Sequence, residues 1–290
     1  MNVSEDKKAG MRSGAAGSIL HGSPREFHSR LRRCLHAGWA GIRAGLRLLA
    51  FLLASFALAA VFFSLLPWTV RSPTRRARLR NRVFGTWSRL SLACAGVRVD
   101  VRGRPPVGPC FLVSNHIVHL DIWVLASKTS AVFVAESGIA SWPFFGFMAR
   151  VLSIIFVDRL NNRTIPEVNQ RMEEEFANGH VIALFPEGRT SGGARLRPFR
   201  SSLLESAARR EHPVAWAAIG YRTGAYDPPA SEVVPWPEGL SIAAQAAKLL
   251  LLDRIEATIT FGEGTIRASD RKALAAELQK RVEAIFTPMV

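Results

Sequence analysis

The chain has 290 residues, 48% of them hydrophobic, which is enough for one large domain with additional segments. Its formal net charge of +15 comes almost entirely from arginine and favours a polyanionic partner: nucleic acid, an anionic membrane or a phosphate-bearing substrate. The three cysteines have no metal-ligand spacing and exclude a disulfide framework, so a reducing compartment fits best.

Two segments are predicted to precede the folded domain. Residues 1–28 are rich in glycine, serine and basic residues and show no periodicity, which predicts a disordered basic tail. Residues 29–95 are predicted to form a membrane-associated helical segment. Its apolar part, 48–66, is uncharged and would be roughly 28 Å long as a helix, close to the ~30 Å hydrocarbon core of a bilayer. A cleavable signal peptide fits less well, because this stretch begins far from Met1.

The sequence leaves the orientation of the apolar helix open. Arginines flank it on both sides, so the positive-inside rule does not choose between the two orientations. This symmetry favours a helix that dips into one leaflet and returns, with a single span as the alternative. The next helix, predicted over about 74–92, has Leu79, Val83, Trp87 and Leu90 at helical spacing. It either lies on an anionic membrane surface or packs on the domain with a solvated basic face. We expect no nucleic-acid partner, because no recognition motif is present.

Residues 96–290 are predicted to form one α/β domain. Short apolar runs alternate there with helical stretches, which is typical of a mixed, mostly parallel sheet flanked by helices. The predicted strands are 97–101, 110–113, 132–135, 154–157, 181–185, 214–219 and 255–261. Thr164 to Glu167 is a capping box that opens a crossover helix between the fourth and fifth strands, which are therefore expected to be parallel. A final helix is predicted over about 270–286.

A polar break after the second predicted strand carries the first candidate catalytic residues. Asn115 and His116 follow the apolar run 110–113 directly, and Asp121 falls in or near the first turn of the next helix. Ligands of open α/β sheets bind at the carboxyl ends of strands. A histidine held by a carboxylate can act as a general base, since the carboxylate sets its tautomer and stabilises the imidazolium. His119 has less suitable spacing and is expected to serve in packing or to support the residues that touch the substrate.

Two further polar clusters follow predicted strands. Asp158 and Arg159 end the fourth strand, and a turn with Glu187, Gly188 and Arg189 ends the fifth. Because parallel strands that are linked by a crossover end at one edge of the sheet, we expect all three clusters to converge there. Arginine matches the geometry of a phosphate group, so the converging residues would form an anion site. Taken singly, each cluster could instead be a surface ion pair or a loose turn.

Several catalytic classes lack their signatures in this sequence. There is no GxxxxGK[ST] phosphate loop, no GxSxG nucleophile elbow and no HExxH zinc pair. A serine hydrolase stays open, with Ser191 or Ser201 as the nucleophile, although neither serine has an elbow context. We expect neither a metal nor a cofactor.

Four blocks of the sequence resemble those of the glycerolipid acyltransferase family, which includes the bacterial 1-acyl-sn-glycerol-3-phosphate acyltransferases. The blocks are Asn115-His116 with Asp121, Phe156 to Arg159, Phe185 to Gly188, and Pro213 to Ile219. The match runs from about Val97 to Gly264. The resemblance implies a mixed α/β domain on a short N-terminal membrane motif. It also implies transfer of a fatty acyl group from a thioester to a lysolipid hydroxyl.

The resemblance further implies roles for individual residues and partners. His116, oriented by Asp121, would take the proton from the acceptor hydroxyl as that hydroxyl attacks the thioester carbonyl. The implied substrate contacts are Asn115, Arg159, Glu187 and Gly188. We add Arg189 as a phosphate contact. The expected partners are membrane lipid, a lysolipid acceptor, and acyl-CoA or acyl carrier protein as the donor. The expected location is the cytoplasmic face of a bacterial inner membrane.

Two departures from the family pattern bear on the acceptor. The third block commonly reads Glu-Gly-Thr-Arg-Ser, whereas here Arg189 follows Gly188 directly. Many relatives carry a lysine where this chain has Glu136, and the run through Arg197 resembles a subgroup that includes acyltransferases for lyso-ornithine lipids. The predicted acceptor is 1-acyl-sn-glycerol-3-phosphate. Lyso-ornithine lipid is one alternative, and a non-catalytic, membrane-tethered module that binds anionic lipid is another.

Overall fold

A computed structural model of the chain describes residues 24–138, 154–157, 165–237 and 239–289. The chain divides into a unit that ends at Ile42 and a larger unit from Arg43 to Val290. Residues 24–28 are helical, which corrects the end of the tail predicted as disordered over 1–28. Pro24 occupies the first helical position, where its missing N–H costs no hydrogen bond. The rest of that predicted tail lies outside the described residues.

Two helices precede the sheet. Helix α1 spans Pro24–Leu65 and helix α2 spans Pro73–Cys94, with a 3-10 turn over Leu66–Thr69 between them. The apolar helix predicted over 48–66 is therefore the C-terminal part of a longer helix. Gly38–Thr69 is the one segment of the described chain that is long and apolar enough to cross a membrane by length and composition.

From Arg43 onward, α1 has one face on the domain and another in solvent. Ser55 and Phe62 are buried, and the Ser55 hydroxyl accepts a hydrogen bond of 2.9 Å from the indole N–H of Trp87. The guanidinium of Arg47 donates to the main-chain carbonyls of Leu250, Leu252 and Asp253, at 3.0, 2.5 and 2.8 Å. Among the large apolar side chains that remain exposed on the same helix are Leu46, Leu49, Leu53, Phe56 and Phe63. The helix is thus anchored along one side only.

Helix α2 uses its apolar stripe for the core. Val83, Phe84 and Trp87 are buried, while the side chains of Arg75 and Arg78 are exposed. Of the two interpretations that the sequence left open, the structure supports the helix packed on the domain with a solvated basic face, because Val83 and Trp87 of the stripe are covered by protein, although Leu90 is 40% exposed.

The described residues contain a seven-stranded sheet of order β1-β7-β6-β2-β5-β3-β4. The strands are β1 Val97–Arg102, β2 Cys110–Ser114, β3 Ala131–Glu136, β4 Ile155–Val157, β5 Val181–Leu184, β6 Val214–Thr223 and β7 Ile255–Phe261. The five strands from β6 to β4 are parallel, β7 is antiparallel to β6, and β1 is parallel to β7. The predicted mixed, mostly parallel sheet is confirmed, and each predicted strand is present.

Helices cover both faces of the sheet. They are α3 Leu120–Ala126, α4 Ile165–Ala177, α5 Glu205–Arg209, α6 Ala230–Val233, α7 Ile242–Leu251 and α8 Arg271–Ile285. Side chains alternate along β2, so Leu112 packs in the cluster that contains Trp87, whereas Phe111 and Val113 pack in the cluster that contains Met172. The predicted crossover helix is α4, and β3 lies between the two parallel strands that it links. The ends of β2, β4 and β5 therefore emerge at one edge.

Candidate active site

His116 and Asp121 form a hydrogen-bonded pair in the turn between β2 and α3. The Nδ1 atom of His116 lies 2.7 Å from Oδ2 of Asp121. The histidine side chain is 14% exposed and the aspartate side chain is fully buried, so the imidazole is the member of the pair that a substrate can reach. The ring stacks on Phe185 with centroids 4.3 Å apart, which restricts its rotation. Because the carboxylate accepts from Nδ1, the basic nitrogen left for a substrate is Nε2.

The Asp121 carboxylate is held by four donors. Its Oδ2 atom also accepts the backbone N–H groups of Ile117 and Val118, at 2.6 and 3.0 Å. Its Oδ1 atom accepts the hydroxyl of Tyr221 at 2.5 Å. Hydrogen bonds of this kind stabilise a negative charge that burial would otherwise disfavour. The arrangement keeps a carboxylate beside the imidazole, as general-base catalysis requires.

Glu187 connects the catalytic turn to the loop after β5. Its Oε1 atom accepts the backbone N–H of His116 at 2.7 Å, and its Oε2 atom accepts the N–H of Arg197 at 2.9 Å. The side chain is 2% exposed, and burial raises the pKa of its carboxyl to about 7 despite these two donors. The carboxylate thus faces main chain in this structure. A direct contact between Glu187 and the acceptor stays a prediction.

The loop after β5 brings the predicted glycine and arginine to the same place. Gly188 has a φ of +75°, and an added Cβ there would lie 3.2 Å from the Cδ atom of Arg200, so a side chain would be strained and crowded. The loop is tied to the catalytic turn, since the N–H of Ser191 donates to the carbonyl of His116 at 2.7 Å. Arg189 is exposed beside this contact. Arg159 lies outside the described residues, so its predicted role stays untested.

Asn115 is directed into the sheet, and its predicted substrate contact stays a prediction. The residue is fully buried, its Nδ2 donates to the carbonyl of Ile219 at 2.9 Å, and its Oδ1 accepts the N–H of Ile219 at 2.7 Å. Through these two hydrogen bonds, the Asn115 side chain extends the hydrogen bonding between β2 and β6 one residue beyond Ser114. Both polar atoms of the amide are therefore used in hydrogen bonds to the main chain of β6.

Tyr221 and Phe185 contact the pair but were not among the predicted site residues. The sequence predicted that this strand ends at residue 219, whereas β6 continues to Thr223 and includes Tyr221. A tyrosine in a buried strand needs a partner for its hydroxyl, which is the signal that could have directed attention to it. His119, by contrast, is half-buried beside Trp236, and burial lowers its pKa to about 4; its predicted packing role stays a prediction.

Comparisons with known proteins identify the family of this chain. The family model described as Acyltransferase matches residues 98–220. A lyso-ornithine lipid O-acyltransferase from Rhizobium meliloti (strain 1021) is 32% identical over 69% of this chain and 73% of its own length. One from Brucella abortus (strain 2308) is 29% identical over 79% and 91%. The 1-acyl-sn-glycerol-3-phosphate acyltransferase of Neisseria gonorrhoeae is 32% identical over 49% and 56%.

A solved structure has the same fold. The 1-acyl-sn-glycerophosphate (LPA) acyltransferase, PlsC, from Thermotoga maritima aligns with a TM-score of 0.60, 18% identity, and coverage of 84% of this chain and 96% of its own. At that identity the likeness shows the fold alone. The matched family region contains each predicted site residue, and the Rhizobium relative extends the similarity beyond that region. The chain therefore belongs to the acyltransferase family that its sequence blocks resemble.

Proposed function

We propose that this enzyme transfers a fatty acyl group from a thioester to the free hydroxyl of a lysolipid, with His116 as the general base. The observation that carries the proposal is the 2.7 Å contact between His116 and Asp121 at the end of β2, in a chain of the acyltransferase family. The imidazole is partly exposed while its partner carboxylate is buried, which suits a base that must meet a substrate.

The pair supports a direct transfer in two proton steps. Nε2 of His116 would accept the proton of the acceptor hydroxyl as its oxygen forms a bond to the thioester carbonyl carbon. The carbon–sulfur bond then breaks, and the imidazolium returns the proton to the leaving thiolate. Asp121 stabilises the imidazolium between the two steps. No acyl-enzyme forms, which agrees with the missing nucleophile elbow in the sequence.

Lyso-ornithine lipid and 1-acyl-sn-glycerol-3-phosphate are the two acceptors that we propose. Lyso-ornithine lipid comes first in the order of tests, because relatives with that name match over 73% and 91% of their length. The Neisseria relative supports 1-acyl-sn-glycerol-3-phosphate with similar identity over a shorter region. Arg189 and Arg200 are exposed on the loop that is tied to His116 and supply positive charge for an acidic head group.

An apolar cavity beside the catalytic turn suits a fatty acyl chain. Its volume is about 290 Å³, and it lies among α1, α2, α3 and α7. His119 and Leu120 line it and directly precede Asp121 in the chain, while Trp123 and Ala246 line it from α3 and α7. We propose that the acyl chain of one substrate occupies this cavity.

The exposed face of α1 supports attachment to one leaflet of a membrane. Its opposite face is packed on the domain through Ser55 and Phe62, so lipid would contact only one side of the helix. Trp68 is 82% exposed at the end of the apolar segment, and Arg71 follows it, as in segments that sit at a lipid head-group layer. We propose the cytoplasmic face, where acyl-CoA and acyl carrier protein are available as donors.

One assay separates the proposal from its alternatives. The full chain in vesicles with anionic lipid is given a labelled acyl thioester together with each lysolipid in turn. We expect diacyl product with one of the two acceptors and none with His116→Ala, at unchanged thermal stability. Release of free fatty acid without an acceptor would identify a hydrolase. Salt-dependent lipid binding without product, in wild type and variant alike, would identify a binding module and refute the enzyme.

A further inference from the structure

Tyr221 lies on β6 with its hydroxyl directed at the catalytic carboxylate. The hydroxyl donates to Oδ1 of Asp121 at 2.5 Å, and the tyrosine side chain is 3% exposed. Strand β6 is hydrogen-bonded to β2, which ends just before the catalytic turn. Tyr221 therefore reaches Asp121 from the sheet, while His116 reaches it from the turn.

The two oxygens of Asp121 have different surroundings. Oδ2 accepts His116 Nδ1 and the N–H groups of Ile117 and Val118, all from its own turn. Within the described part of the chain, the donor to Oδ1 is the Tyr221 hydroxyl. Without that donor, a fully buried carboxylate oxygen would have no hydrogen bond, and one end of the carboxylate could shift. The tyrosine thus determines whether the carboxylate is held at one end or at both.

The position of Tyr221 is itself fixed by the backbone. Asn115 accepts from and donates to the main chain of Ile219, two residues before Tyr221 on the same strand. Residues two apart on a strand point to the same face, so this clamp sets the register from which Tyr221 projects. Burial, followed by the charge of Asp121, raises the pKa of Tyr221 well above its ordinary value. Its hydroxyl consequently stays a donor at any working pH.

We propose that Tyr221 is a positioning residue of the reaction: its hydroxyl holds the Asp121 carboxylate in line with His116 and moderates the negative charge that the imidazole experiences. This inference rests on the proposed function, in which His116 is the base. The other titratable groups that face the pair are His119 in the turn and Glu187 after β5. Neither donates to Oδ1 of Asp121 in this structure.

The test is Tyr221→Phe in the full chain, with the exposed Tyr226→Phe as the matched control. We expect kcat to fall on the order of tenfold, as for a slightly misplaced catalytic group. The acceptor KM should stay within about twofold, since Tyr221 does not touch substrate. Without the Tyr221 hydroxyl, the negative charge of Asp121 is less neutralised and stabilises the imidazolium form of His116 more strongly. The acid limb of the pH profile of kcat/KM should therefore move to higher pH. Wild-type kcat and an unchanged profile would overturn the proposal.

A second variant keeps the test decisive if Tyr221→Phe unfolds. The chain has only two tyrosines, so 3-fluorotyrosine incorporated into Tyr226→Phe labels Tyr221 alone. Its more acidic hydroxyl is a stronger donor of nearly the same size, and we expect the acid limb to move to lower pH at unchanged thermal stability. An unmoved limb would refute the positioning role. Full activity of His116→Ala would instead refute the proposed function, which keeps the two failures distinct.

Discussion

Replacing Asp121 by asparagine should separate the charge of this residue from its geometry. In the wild type, Oδ2 of Asp121 faces three donors: His116 Nδ1 and the N–H groups of Ile117 and Val118. An amide nitrogen cannot occupy that position, because its hydrogens would meet all three. The asparagine oxygen must therefore turn to them, and its nitrogen to Tyr221, whose hydroxyl can accept as well as donate. The imidazole keeps its tautomer and loses only the neighbouring charge.

The size of the effect follows from that geometry. A hydrogen bond to a charged group contributes about 1.5–3 kcal/mol and a neutral one about 0.5–1.5 kcal/mol, so loss of the charge alone costs about 1–1.5 kcal/mol. At about 1.4 kcal/mol per tenfold change in rate, Asp121→Asn should lower kcat by about 5- to 12-fold. Initial rates with labelled acyl thioester at saturating acceptor measure this, with the exposed Asp100→Asn as control. A loss on the order of 10⁴ would mean that the tautomer had changed. A wild-type rate would mean that the charge is not used.

Two further substitutions test the loop and the cavity. Burial raises the pKa of Glu187 to about 7 from 4.5, so the folded chain should lose roughly 3 kcal/mol of stability as pH rises through this window. Glu187→Gln cannot ionise, so the decrease in thermal stability between pH 5 and pH 8 should be smaller than in wild type, and an identical decrease would contradict the assignment. Ala246→Phe places a ring in the apolar cavity and should shift the acyl preference toward shorter chains in a competition between donors. An unchanged product distribution would remove the acyl chain from this cavity.

The sheet could be predicted because its signal is local. Short apolar runs of strand length, separated by polar breaks, mark each of its strands, and the capping box before α4 identifies the crossover that makes β4 and β5 parallel. Helix α7 was not predicted, since its alanine- and leucine-rich sequence follows a proline-rich stretch without a clear polar face. Its end is completed by Arg47, which lies some 200 residues earlier in the chain and donates to carbonyls there.

His116 and Asp121 could be located because the turn that joins them is only a few residues long and follows a recognisable strand. The strand pattern, the parallel edge and the pairing of this histidine with this aspartate were all determined by the order of residues within short segments. Tertiary structure alone decided the rest: Asn115 forms hydrogen bonds with Ile219, Glu187 accepts two backbone N–H groups, and Tyr221 donates to Asp121. Each of these contacts joins residues at least 10 positions apart in the chain. They depend on which strands become neighbours and in which register, and neighbours in a sheet are chosen by the packing of the whole core.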